Sequence, residues 1–116
     1  MNRTMHELSI TRNIVAIVSE AAGSRRVRQV TIEVGKLSGV VPDAIAFCFD
    51  AVAKDTKLDG ARLDIRLIDG RARCNDCGSE FATETIFERC PCGSHRVARL
   101  AGEELTVTTM ELEEAT

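Results

Sequence analysis

Two helices on a small mixed three-stranded sheet, with a compact cysteine-bearing module inserted before the last strand, is the α+β architecture that this 116-residue chain predicts. Three observations predict it. A strand, a helix and a second strand follow one another between Val30 and Ile68; residues 71 to 99 then break the apolar periodicity and gather four cysteines; and a β-like run from Leu105 to Leu112 returns afterwards.

The first helix comes before all of these. From Leu8 to Ala22 the residues Leu8, Ile14, Val15, Val18, Ala21 and Ala22 fall on one helical face, and Gly23 stands where a helix C-terminal glycine would. At its start Thr4-x-x-Glu7 fits a capping box, in which the hydroxyl and the carboxylate each satisfy a free backbone donor. Val30, Ile32 and Val34 alternate with polar neighbours as a strand ending near Gly35. In the second helix Pro42 suits the first turn, Asp43 favours the positive end of the dipole, and Ile45, Cys48, Phe49 and Val52 form the buried stripe. Leu63, Ile65 and Leu67 then alternate as a second strand between Gly60 and Gly70. That order implies a right-handed crossover and parallel strands. The last run slips its alternation between Val107 and Met110, which suggests a bulge. It completes the sheet only if the module is an insertion, so the expected organisation is an α/β domain of residues 1–70 and 102–116 with an inserted module of residues 71–101. Gly70 and Gly102 at the two crossings would let that module hinge.

Composition narrows the function classes. Apolar residues make up 44% of the chain but aromatics only 3%, with no Trp or Tyr, which leaves no set of base-stacking platforms. A net charge of −3 gives no general attraction to nucleic acid or anionic membrane. The opening residues carry no signal-peptide-like apolar stretch, and no run approaches the roughly 18 apolar residues needed to cross a bilayer, so a cytoplasmic protein with no membrane partner is the expectation.

The spacing Cys74-x2-Cys77, twelve residues, Cys90-Pro91-Cys92 reads as metal ligation in a chain with five cysteines and no secretory signal. Two disulfides are the bland alternative. Each cysteine pair places two sulfurs on one turn, and two such turns build the tetrahedron that Zn²⁺ prefers. Gly78 and Gly93 permit turns whose N–H groups point at the sulfurs. Four thiolates close the coordination shell, so the expected zinc is structural, held by Cys74, Cys77, Cys90 and Cys92 in a zinc-ribbon-like module. His95, three residues beyond Cys92, is a possible substitute ligand that is expected to be dispensable. Cys48 reads as a small core residue.

Outside that module His6 stands beside Glu7 at the entrance to the first helix. Composition alone allows a solvated histidine beside a capping glutamate. The sharper alternative is a nitrogen-and-oxygen site for Ni²⁺ or Cu²⁺. Gly35-Lys36-Leu37-Ser38 lacks the residues a phosphate-binding loop requires, and no nucleophile arrangement stands out, so no enzymatic activity is expected. The glutamates near the end, Glu103, Glu104, Glu111, Glu113 and Glu114, read as a solvated acidic terminus.

Met5-His6-Glu7-Leu8-Ser9 opening a helix, Val34-Gly35-Lys36-Leu37-Ser38-Gly39-Val40 closing a strand, Pro42 to Phe49, and the cysteine pairs together resemble the HypA/HybF family of nickel metallochaperones. The resemblance covers nearly the whole chain in order. It implies nickel as cargo for [NiFe]-hydrogenase maturation, a HypB-type GTPase and the hydrogenase large subunit as partners, and nickel held at His6 and Glu7. In that family terminal backbone nitrogens join the histidine. Here Met1 to Thr4 precede the motif, so either translation begins at Met5 or the site relies on imidazole and internal amides. The cysteine pairs depart in another way, with one residue between Cys90 and Cys92 where two are commoner. Two rival classes remain. One is a zinc-ribbon module for nucleic acid or protein, supported by Arg71, Arg73, Arg89, Arg96 and Arg99 but opposed by Asp76, Glu80, Glu84 and Glu88. The other is a redox switch built on labile thiolates.

Overall fold

A computed structural model describes residues 3–86 and 88–114, with side chains from His6 onward. The elements run α1 (Arg3–Ala22), β1 (Val27–Gly35), α2 (Pro42–Ala53), β2 (Arg62–Ile68), β3 (Gly70–Cys74), β4 (Glu80–Thr83), β5 (Val97–Ala101) and β6 (Leu105–Leu112). They form two three-stranded sheets, ordered β2-β1-β6 and β4-β3-β5. The expected sheet and its two helices are present. The three short strands between Gly70 and Ala101 had no clear apolar alternation to announce them.

The first sheet is mixed. Glu113 N–H donates to Arg26 O at 2.9 Å and Gly35 N–H to Glu104 O at 2.7 Å, so β1 and β6 run in opposite directions. Lys36 N–H, just after β1, donates to O of Ile68, the last residue of β2, at 2.9 Å, and Val27 N–H, at the start of β1, to Lys57 O ahead of β2 at 2.9 Å, so these two run the same way, as the strand, helix, strand order predicts.

The chain divides into two compact units, Met1–Ile32 with Val41–Ile65 and Val107–Thr116, and Glu33–Val40 with Arg66–Thr106. The first unit's core joins Ile14, Val15, Val18 and Ala22 of α1, Val27, Val30 and Ile32 of β1, and Ile45, Cys48, Phe49 and Ala53 of α2. Cys48 is thus the small core residue expected. Its thiol is free.

The beginning of α1 departs from the sequence reading. Thr4 lies inside the helix and its side chain falls outside those described. Glu7 does not turn back to the helix end; it is fully buried, and its Oε2 accepts the Val41 N–H at 3.0 Å. The buried face of α1 is therefore Glu7, Thr11, Ile14, Val15, Val18 and Ala22, while Ala21 is exposed. A search for apolar spacing passes over the two polar members. Thr11 is buried because its hydroxyl donates to Glu7 O at 2.7 Å, one turn back. Val41, the N-cap of α2, has no side-chain cap of its own.

The second strand also differs. Leu63 and Ile65 are half-buried, but Leu67 is 53% exposed and Ile68 takes the inner position. The alternation reverses at Ile65/Arg66, where the chain passes from one compact unit to the other. A strict two-residue period cannot foresee a change of packing partners in mid-strand.

Candidate functional site

The four-cysteine site is built on two turns of the second unit. β3 and β4 pair antiparallel, Gly70 opposite Thr83 and Arg73 opposite Glu80, so the residues between Cys74 and Glu80 form the hairpin turn. Cys74 N–H donates to Ser79 O at 2.9 Å and Gly78 N–H to Cys74 O at 3.0 Å, with Gly78 at φ 79°. β3 also pairs with β5, Cys74 opposite Val97. The second turn precedes β5: Cys90 N–H donates to Ser94 O at 3.1 Å and Gly93 N–H, at φ 97°, to Cys90 O at 2.8 Å. Both positive angles need glycine. The turns are held together by Asn75 N–H on Arg96 O at 2.7 Å and by the Ser94 hydroxyl on the Asp76 carboxylate.

This framework brings the Sγ atoms of Cys74, Cys77, Cys90 and Cys92 within 4.8 Å of one another. Cys74 and Cys92 are 3.7 Å apart and Cys77 and Cys90 3.5 Å. A tetrahedral ion with metal–sulfur bonds of about 2.3 Å sets its sulfurs roughly 3.8 Å apart, whereas a disulfide bond is about 2.05 Å. The spacing fits four-coordinate ligation and excludes the two-disulfide alternative. The single residue between Cys90 and Cys92 does not remove either sulfur from the set. His95 is exposed and stands outside it.

Backbone donors turn towards the sulfurs as the glycine positions suggested. Asp76 N–H and Cys77 N–H both point at Cys74 Sγ at 3.4 Å, and Cys92 N–H at Cys90 Sγ at 3.5 Å. The Ser79 hydroxyl and then its amide stabilise the Cys77 thiolate, bringing its pKa down to about 6. At Cys90 the Cys92 amide works in the same direction. Desolvation and the neighbouring thiols together outweigh it, and the thiol is pushed up to about 12. Donor hydrogen bonds of this kind favour the thiolates that ligation requires.

Four arginines of this unit meet acidic neighbours. Arg73 meets Glu80 at 2.8 Å and Arg71 meets the same carboxylate at 3.8 Å; Arg96 meets Asp76 at 3.5 Å and Arg99 meets Glu103 at 2.7 Å. A phosphate backbone needs a cationic face, and these contacts break one up.

The other sequence-predicted pair is not held as a pair. His6 is exposed in the opening turns of α1, whereas Glu7 is completely buried with Oε2 on Val41 and Oε1 without a hydrogen-bond partner. Apolar patterning had no means of finding this Glu7–Val41 contact, which joins residues 34 positions apart. Among the described residues no helix is long and apolar enough to cross a membrane.

The family model described as hydrogenase/urease nickel incorporation, metallochaperone, HypA, matches residues 5–112. Hydrogenase maturation factor HypA of Geobacter metallireducens is 52% identical over 110 residues, covering 94% of this chain and all of that protein. The factor of the same name from a Nostoc species is also 52% identical, covering 95% of this chain and 97% of its own. Among solved structures, the nickel metallochaperone HypA of Helicobacter pylori superposes with a TM-score of 0.67 at 21% identity, over 91% of this chain and 96% of that one. A second HypA solution structure gives 0.71 at 23% identity, over 94% and 97%. At such identities the structural likeness speaks for the fold alone. The family match and the curated relatives carry the rest: the chain belongs to the HypA family of nickel-incorporation metallochaperones.

Proposed function

We propose that this chain carries Ni²⁺ for the maturation of a [NiFe]-hydrogenase, anchoring the ion at His6 with Glu7 in support and passing it on without a chemical step of its own. The observation that carries the site assignment is the position of His6, an exposed imidazole at the start of a helix, beside a buried carboxylate with an unpartnered oxygen. Imidazole nitrogen and carboxylate oxygen suit Ni²⁺, and an ion held at an exposed imidazole can be released. In this reading residues 1–70 and 102–116 form the nickel-binding domain, and residues 71–101 form an inserted module stapled by zinc through Cys74, Cys77, Cys90 and Cys92. When bound, that zinc would supply folding energy, because four thiolates leave it no open position for a substrate. The partners are a HypB-type GTPase and the hydrogenase large subunit, met in the cytoplasm.

Calorimetric titration with Ni²⁺ tests the site. His6→Ala is expected to lose the binding isotherm that the wild-type chain gives; unchanged stoichiometry and affinity in the variant would sink the assignment. Glu7 needs a separate measurement, because it also holds the fold. Glu7→Ala leaves the Val41 N–H without its acceptor and is expected to cost about 1–3 kcal/mol in urea unfolding. Glu7→Gln keeps an acceptor of the same shape and should lose less. Equal losses in both would mean that the Val41 contact contributes nothing.

A further inference from the structure

His6 and Glu7 are neighbours in the chain, yet the fold sends their side chains to different places. Consecutive residues of an α-helix are turned by roughly 100° from one another. His6 is exposed, whereas Glu7 is 0% exposed and lies on the face that turns Thr11, Ile14 and Val18 inward. An ion arriving from solvent finds the imidazole but no surface of the carboxylate. By chemistry a carboxylate suits Ni²⁺; by position this one does not.

The start of α2 shows what Glu7 does instead. The chain reaches that helix through a turn in which Ser38 N–H donates to Gly35 O at 3.0 Å and Val40 N–H to the Ser38 hydroxyl at 3.2 Å, with Gly39 at φ 78°. Val41, the N-cap, has no side-chain cap, and Pro42 after it has no N–H to offer. Of these three residues, Val41 alone carries an N–H that its own neighbourhood leaves unsatisfied. Glu7 Oε2 accepts it at 3.0 Å from 34 positions away. The positive end of the α2 dipole favours an acidic group at that place. On α1 the Glu7 backbone is held as well, by the Thr11 hydroxyl on Glu7 O at 2.7 Å. The turn of α1 that carries His6 is therefore tied to the entrance of α2 through Glu7.

We infer that Glu7 is a positioning residue of the nickel site and not a nickel donor: by capping α2 at Val41 it fixes the turn that presents His6. The inference rests on the delivery reading above and gives its two residues different tasks, donor for His6 and holder for Glu7.

Calorimetric Ni²⁺ titration of the 116-residue chain and its variants, with the absorption spectrum of the bound nickel recorded for each, tests it. Glu7→Gln removes the carboxylate but keeps an oxygen for the Val41 N–H, and is expected to bind nickel within about twofold of the wild type with an unchanged spectrum. Glu7→Ala removes the holder, and is expected to weaken binding by about 10-fold while the spectrum again stays the same. Val41→Pro deletes the N–H without altering α1. It should weaken nickel binding as far as Glu7→Ala does, and the double variant should be no weaker than either. If Glu7→Gln loses as much affinity as Glu7→Ala, or shifts the spectrum, the carboxylate is a donor and the inference is overturned while the His6 reading stands. A folded Val41→Pro variant that binds nickel like the wild type overturns it too; if that variant does not fold, the Glu7→Gln comparison alone decides. His6→Ala binding like the wild type removes both the inference and the reading it rests on.

Discussion

Cys74→Ser is expected to strip the metal from the four-cysteine site and to unfold the strands around it. Cys74 is 1% exposed, ends β3, and accepts two amide contacts at its sulfur. The unit to which it belongs has little else to hold it. Among the described residues its buried apolar side chains are few, Val34, Val40, Ala72, Cys74 and Cys90, and two of these five belong to the four-sulfur cluster. An apolar core of that size does not offset the conformational entropy of ordering about fifty residues. Structural zinc in small modules supplies about 10–16 kcal/mol at neutral pH, which is enough to decide whether the strands form. Metal analysis should fall from one equivalent to near zero, and amide exchange in β3, β4 and β5 should become fast. In the first unit, Val18, Val30, Ile45 and Phe49 form a core without the metal, so exchange there should stay slow. His95→Ala is the control, since that exposed imidazole lies outside the sulfur cluster, and it should keep full occupancy. Zinc lost in His95→Ala and kept in Cys74→Ser would reverse the ligand assignment.

The four-cysteine cluster was legible because such a grouping depends on residue type and spacing, both of which are written in the chain. The same is true of α2, where Pro42, Asp43 and the stripe from Ile45 to Phe49 all agree with the helix that forms. What the sequence concealed was pairing over long distances between residues of unlike type. Glu7 reads locally as a helix-start carboxylate, because a capping box asks only about the preceding three residues. In the folded chain it is captured by Val41, and nothing in either residue advertises the other. The strands β3, β4 and β5 were hidden for a related reason. Their order comes from the two cysteine turns and from backbone pairing, and their exposed sides carry Arg71, Arg73, Glu80 and Arg99 instead of a clean alternation.

Gly35→Ala should be among the most destabilising single-methyl changes this chain can suffer, and it bears on what the glycines of the crossings do. From sequence, Gly70 and Gly102 suggest a hinge. In the second unit they pack against one another: a Cβ on Gly102 would lie 2.7 Å from Gly70 Cα, and one on either residue would meet Leu37 Cδ1 at 2.8 or 2.9 Å. Gly35 completes the crossing, with its missing Cβ only 2.0 Å from Gly102 O and 2.6 Å from Glu103 N. These are backbone atoms, so no side-chain rotation relieves the clash. Two hydrogen bonds hold the backbones at that approach, Gly35 N–H to Glu104 O and Leu37 N–H to Gly102 O, each 2.7 Å. A methyl group must break at least one of them as it forces the strands apart, for a loss of about 3–5 kcal/mol. Gly60→Ala is the comparison. It has a positive φ of 77° but open space at its Cβ, so only the strain of the left-handed backbone remains, about 1–2 kcal/mol. Urea unfolding of the two variants separates the cases. A Gly35→Ala loss no larger than that of Gly60→Ala would mean that the crossing has room to yield, as a hinge requires; the larger loss would show that these glycines let three chain segments close on one another.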